Sequence, residues 1–231
     1  MYSLKRLLCL STLLITPALF AVDPFVGKVS FAITSGKGKA MTLNQSFKGN
    51  AVRTDMEGAP GGMIMDFAKK EMIILMNEEH MYMVQPLKAS DIPHEIKDKA
   101  AADPDVEVTG KTEKILGYTC NQILVKDGKN VTEMWVAEEL GMYAGLGAQS
   151  GGGGMFGKKG NADAAAKWEK ALKGKGGFPI RVITRNAAGK ETYKMEATKI
   201  EKGGVSDADF KPPAGFQKFE MPDMGGMNPF K

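Results

Sequence analysis

Gly62 to Val84 reads GMIMDFAKKEMIILMNEEHMYMV, three apolar runs separated by Lys69-Lys70 and by Asn77-Glu78-Glu79. Polar residues at those points mark turns, so the stretch predicts three strands joined by hairpins. Side chains on a strand alternate between its faces. Met63, Met65 and Phe67 therefore share one face of the first strand, and Met81 and Met83 one face of the third.

The same two-residue period extends upstream. Val29, Phe31 and Ile33 alternate with Lys28, Ser30 and Thr34; Met41, Leu43 and Phe47 stand opposite Thr42, Asn44, Ser46 and Lys48; Val52, Thr54 and Met56 alternate with Arg53, Asp55 and Glu57. This is the pattern of half-buried antiparallel strands. Lys48-Gly49-Asn50 and Gly58-Ala59-Pro60-Gly61 supply turns between them. Downstream, strands are expected over Val106 to Gly110, Thr119 to Lys126, Val131 to Ala137, Phe178 to Asn186 and Lys190 to Ile200. Glycine-bearing turns are expected at Lys126-Asp127-Gly128-Lys129 and Asn186-Ala187-Ala188-Gly189. Two helices are expected as well, Ser90 to Ala101 and Ala162 to Leu172. The fold class is mainly β (α+β): a large curved antiparallel sheet or open half-barrel with two or more helices packed on one side.

At the N-terminus, Lys5 and Arg6 precede the apolar run Leu7 to Ile15, and Thr16-Pro17-Ala18-Leu19-Phe20-Ala21 follows with a helix breaker and small residues. This is the layout of a secretory signal peptide over 1–21, cleaved near Ala21, and it implies a periplasmic or secreted protein. The run falls short of the roughly 20 residues that span a bilayer, and no later stretch approaches that length. A single β-rich domain is expected over 22–221, with a mobile glycine-rich loop over 144–161 and a disordered tail over 222–231. Ser206 to Phe210 reads as a capped turn that drops Phe210 into the core. Lys211 to Phe216, with Pro212 and Pro213, reads as an extended segment closing one edge of the sheet.

Cleavage removes Cys9 and leaves Cys120 as the mature chain's one cysteine, which excludes an intramolecular disulfide. Unpaired cysteine packs like a small hydrophobe, so Cys120 is expected in a strand facing the core; intermolecular pairing and a reactive thiol are the alternatives. Losing Lys5 and Arg6 moves the basic-to-acidic balance from 31 against 27 to 29 against 27. A nearly neutral chain lacks the concentrated basic face that nucleic acid requires.

Catalytic residues and cofactors are not expected. His80 and His94 are the only imidazoles, and neither has neighbours that mark a metal site or a nucleophilic triad. Gly152 to Lys158 fits G-x-x-x-x-G-K, but Lys159 stands where Ser or Thr would hold magnesium. Thioethers offer one further chemistry. Met221, Met224 and Met227 recur every three residues in the tail, and such groups bind soft Cu(I).

The order GMIMDFAKKEMIILMNEEHMYMV, VTGKTEKILGYTCNQILV, TEMWVAEELG and DADFKPPAGFQKFEMP spans roughly residues 25–221. It resembles the exported bacterial family called domain of unknown function 4412, with Gly117, Tyr118, Cys120 and Trp135 as the most specific residues. The resemblance implies a layout similar to the half-barrel of periplasmic lipoprotein carriers, which hold acyl chains in a concave face, although fold alone does not fix function. The expected function is binding of a lipid, acyl chain or lipoprotein against Phe31, Met63, Met65, Phe67, Met72, Ile74, Met81, Met83 and Trp135. Methionine's flexible thioether suits such a face. An ordinary core in which methionine fills gaps is the other reading of the same residues. Copper handling by the tail, and a structural envelope role with a protein partner, are the rival classes.

Overall fold

The computed structural model describes residues 23–36, 38–87, 105–143 and 177–220. Its strands are β1 (Gly27–Ser35), β2 (Met41–Lys48), β3 (Ala51–Met56), β4 (Gly61–Asp66), β5 (Glu71–Met76), β6 (Met81–Pro86), β7 (Asp105–Ile115), β8 (Tyr118–Asp127), β9 (Asn130–Ala137), β10 (Phe178–Arg185), β11 (Glu191–Lys202) and β12 (Gln217–Lys218). They form one open sheet in the order β12-β6-β5-β4-β3-β2-β1-β11-β10-β9-β8-β7. Two antiparallel meanders, β1 to β6 and β7 to β11, are thus joined along β1 and β11, and β12 adds in parallel to β6.

The opening stretch folds as read. β4, β5 and β6 are its three runs, and Lys70 and His80 take positive φ (57° and 52°) as the chain re-enters the sheet. β7 runs beyond its expected end at Gly110. That glycine, at φ 74°, lies where the ladder with β8 shifts register between Val108 and Thr112. A bulge carries the strand onward, so the glycine bends the strand instead of ending it.

Curvature follows from the aromatic cluster. Phe47 on β2 and Phe178 on β10 are three ladder steps apart, roughly 14 Å along a flat sheet, yet their ring centroids are 5.9 Å apart. The face that carries them is therefore concave. Phe25 and Tyr143 complete the cluster, at 4.8 Å each from Phe178, and Phe31 stacks on the same ring at 6.3 Å. Met195, Val182 and Met134 continue this face across β11, β10 and β9 and are fully buried.

The opposite face of β4 and β5 buries Ile64 and Leu75 apart from that core. Their cover comes from the C-terminal segment. A 3-10 turn, Asp207–Phe210, is tied to β3 by Arg53 Nη1, which donates to the Asp209 carbonyl at 3.3 Å, and to β2 by Lys48–Asp207 at 2.7 Å. The chain then reaches β6, where the Gln217 and Phe219 amides donate to the His80 and Tyr82 carbonyls. To pass from β3 to β6 it must cross β4 and β5, and it closes the β6 edge as the prolines suggested.

Among the described residues the helical elements are this turn and Glu138–Leu140, both 3-10. No helix packs on the sheet within them. The helices expected over 90–101 and 162–172, the loop over 144–161, the leader and the tail beyond 221 lie outside the described residues. No helix among those described is long and apolar enough to cross a membrane.

Candidate functional site

Register places most of the expected groove residues on the concave face. Thr54, Met63, Ile74 and Met83 stand opposite one another across β3 to β6, as do Val52, Met65, Met72 and Gln85. Met81 pairs with Met76 in a third row, and Phe31 reaches the same face through Leu43 and Met56. Burial is graded along this face. Phe31, Met63 and Met65 are buried, whereas Met72, Ile74, Met81 and Met83 are half-buried. The aromatic half is filled by its own side chains, and the β5–β6 end offers solvent a strip of thioethers and one isoleucine.

Phe67 follows β4 and packs, partly buried, against the core. Trp135 is buried in the core cluster but lies on β9, away from the β4–β6 methionine strip. It neighbours inward-facing Met134, pairs with Arg181, and donates from Nε1 to Glu133 Oε1 at 2.7 Å. Its side of β9 belongs to an ionic belt: Arg185–Glu133 at 2.9 Å, Arg181–Glu196 at 2.7 Å, Arg181–Glu113 at 3.0 Å and Lys194–Glu196 at 2.7 Å. Burial alone would raise the Glu196 carboxyl, but hydrogen bonds from Lys194 and Arg181 outweigh it and hold the pKa below the ordinary value. Glu133 is lowered in the same way, against burial, by Trp135 and Arg185. The belt neutralises itself.

The sequence reading missed a polar thread in the concave face. The Tyr143 hydroxyl donates to Gln45 Oε1 at 2.7 Å, and Gln45 Nε2 donates to Thr54 Oγ1 at 3.1 Å. Thr54 sits opposite Met63, so the thread runs from the aromatic cluster to the edge of the methionine strip. Among the described residues no buried side-chain nitrogen or oxygen lacks a partner. The signal was present in the sequence, since Gln45 occupies an inward slot between Leu43 and Phe47.

Cys120 is fully buried, with Sγ 3.6 Å from the Tyr118 carbonyl. Burial raises the thiol's pKa, which suits a packed side chain and opposes a nucleophile. The described residues contain no group of three or more His, Cys, Asp or Glu able to hold a metal. Met221, Met224, Met227 and His94 lie outside them. A shallow depression of about 350 Å³ opens elsewhere, lined by Asp23, Phe25, Val26, Glu138, Glu139 and Lys202 among others.

The family model described as domain of unknown function DUF4412 matches residues 25–216. The chain belongs to the DUF4412 family. Within this DUF4412 chain, Gly117, Tyr118 and Cys120 sit at the β7–β8 hairpin and the start of β8, and Trp135 on β9 two strands from the sheet edge. No curated protein matches the sequence. Solved structures with a similar layout include an uncharacterized conserved protein from Thermus thermophilus, at 8% identity and TM-score 0.48, covering 83% of this chain and 88% of that one. The Pseudomonas aeruginosa MucA/MucB complex gives 12% identity and TM-score 0.49, covering 81% of this chain and 55% of that one. A candidate outer membrane lipoprotein-sorting protein domain from Vibrio parahaemolyticus gives 8% and 0.32, covering 80% and 88%. Likenesses at this level concern general sheet layout and carry nothing about what the DUF4412 chain binds.

Proposed function

We propose that this DUF4412 protein is exported to the periplasm and holds an apolar chain, from a lipid or lipoprotein, against the β4–β6 end of its concave face. The observation that carries the reading is the burial gradient: the concave face is buried at Phe31, Met63 and Met65, is crossed by the Gln45–Thr54 polar thread, and is half-buried and largely apolar at Met72, Ile74, Met81 and Met83. Thioether side chains have three rotatable bonds and a polarizable sulfur, so they accommodate varied hydrocarbon at little packing cost. The leader over 1–21 supports the location.

The test is native mass spectrometry of the mature protein drawn gently from its own periplasm, combined with titration of a fluorescent long-chain fatty acid. A stoichiometric acyl-bearing adduct and saturable probe binding are expected. The triple substitution Met72→Ala, Ile74→Ala, Met83→Ala should keep the circular dichroism spectrum and lose at least tenfold in probe affinity. Unchanged affinity in a folded triple variant would sink the assignment. A chain ending at Glu220 should bind the probe as before; loss there would move the site to the tail thioethers.

A further inference from the structure

Methionine is sorted by face at the β4–β6 end of the sheet. The ladder puts Met63, Met65, Met72, Met76, Met81 and Met83 on the concave side of these strands. The other side carries Ile64, Ile73, Leu75, Tyr82 and Val84 and no methionine. Both sides are largely apolar, so apolarity alone does not account for the sorting. What sets the concave side apart is sulfur.

Core packing explains part of that sulfur. Met63 and Met65 belong to the core cluster and Met72 packs against it, whereas Met76, Met81 and Met83 stand outside it and are half-buried. These three are neighbours. Met76 and Met81 are directly opposite across β5 and β6, and Met83 is the next residue of β6 on the same face. Opposite side chains have Cβ atoms about 5 Å apart and diagonal ones about 7–8 Å apart. Three rotatable bonds in each side chain let the sulfurs turn toward one point above the strands. The Met83 sulfur is held on this face by Gln85 Nε2, which donates to Sδ at 3.7 Å.

The surrounding groups select the kind of ion. The remaining concave positions of β4 to β6 are Gly61, Ile74 and Gln85, so no carboxylate or imidazole of these strands joins the three thioethers. His80 precedes Met81, but its ring lies 5.6 Å from that of Phe216, in the segment that crosses the back of the sheet. A neutral set of sulfurs is a poor match for zinc or Cu(II) and suits a soft monovalent ion. We propose that Met76, Met81 and Met83 form a thioether site for Cu(I) or Ag(I). The ion binds through sulfur lone pairs, with no proton released and no change of oxidation state. The site shares Met83 with the strip proposed for an apolar chain, but it depends on sulfur and that strip on hydrocarbon contact, so the two can fail separately.

The experiment is a titration of the mature protein, carbon-13 labelled at its methionine methyl groups, with silver nitrate in chloride-free buffer, followed by anaerobic competition for Cu(I) with a chromophoric chelator. Ag(I) should move the methyl signals of Met76, Met81 and Met83 before any others and saturate at one equivalent, and zinc should move none of them. The triple substitution Met76→Leu, Met81→Leu, Met83→Leu keeps the apolar surface and removes the sulfur. It should weaken Cu(I) binding at least tenfold and leave binding of the fluorescent fatty acid as before. Met221→Leu, Met224→Leu, Met227→Leu should leave Cu(I) affinity unchanged. The proposal is overturned if none of the three signals responds, if the tail methionines respond first, if zinc moves the same signals, or if the Met76, Met81, Met83 variant keeps its Cu(I) affinity. Should that variant fail to fold, the methyl shifts of the unaltered protein decide. A normal Ag(I) response in a protein that binds no fatty acid would sustain this site and overturn the apolar-chain reading alone.

Discussion

Cys120 has no room to react. With its sulfur fully buried and its pKa raised by burial, the native protein should resist a thiol reagent at pH 8 that modifies the urea-unfolded chain within minutes. Rapid labelling without denaturant would show that the strand opens. Gly141 is constrained in a different way, by φ 82° and by a carbonyl where its Cβ would go. Gly141→Ala should cost about 1–3 kcal/mol, measured as a shift in the denaturant midpoint at unchanged slope. Single residues were unevenly legible. The core side of Phe31, Met63 and Met65 could be read from alternation. The side of Trp135 could not, because Met134 to Ala137 are all buried and such a run carries no phase.

Strands and hairpins were the most legible level. Turn residues divided 62–84 correctly because each turn interrupts a period-two pattern, whereas Gly110 misled because a bulge and a terminator look alike in sequence. The ionic belt across β7, β9, β10 and β11 was not legible as a whole: Arg181 and Glu196 pair within the β10–β11 hairpin, but Glu113 and Glu133 reach Arg181 and Arg185 only through strand order. Its pH dependence has a definite sign. Glu196 and Glu133 have folded pKa values below the usual 4.5, so they stabilise the fold above that pH and lose the contribution as pH falls through the lowered values. Glu196→Gln should destabilise the protein at pH 7, and the gap to the unaltered protein should narrow steadily below about pH 4. A gap that stays constant in urea melts across this range would remove the charge from the account.

At the scale of the molecule, two meanders share one sheet and one segment covers its back. Ile64→Ala should cost about 2–5 kcal/mol even though Ile64 lies outside the main core. Phe210→Ala, in the turn that starts the covering segment, should destabilise in the same direction and increase binding of a dye sensitive to exposed apolar surface. Sequence could not supply the join between the meanders. Local patterns reveal hairpins, but nothing in Gly27 to Ser35 names Glu191 to Lys202 as its partner. The same limit applied to the methionine strip: the sequence showed which face carries thioethers and not how open it stays.

The pairing of Gly27 with Lys202 closes a loop of about 175 residues. A chain synthesised N-terminus first completes β1 and β2 long before the strand that belongs beside them emerges. Until then Val29, Phe31 and Ile33 stand at an open border, free to associate with any other incomplete copy. Loop closure of that length is slow, so refolding should take milliseconds to seconds and yield should fall as concentration rises. The feature that makes the sheet continuous thus makes its birth hazardous, and a holding chaperone until β11 is complete is the condition under which this chain would assemble best.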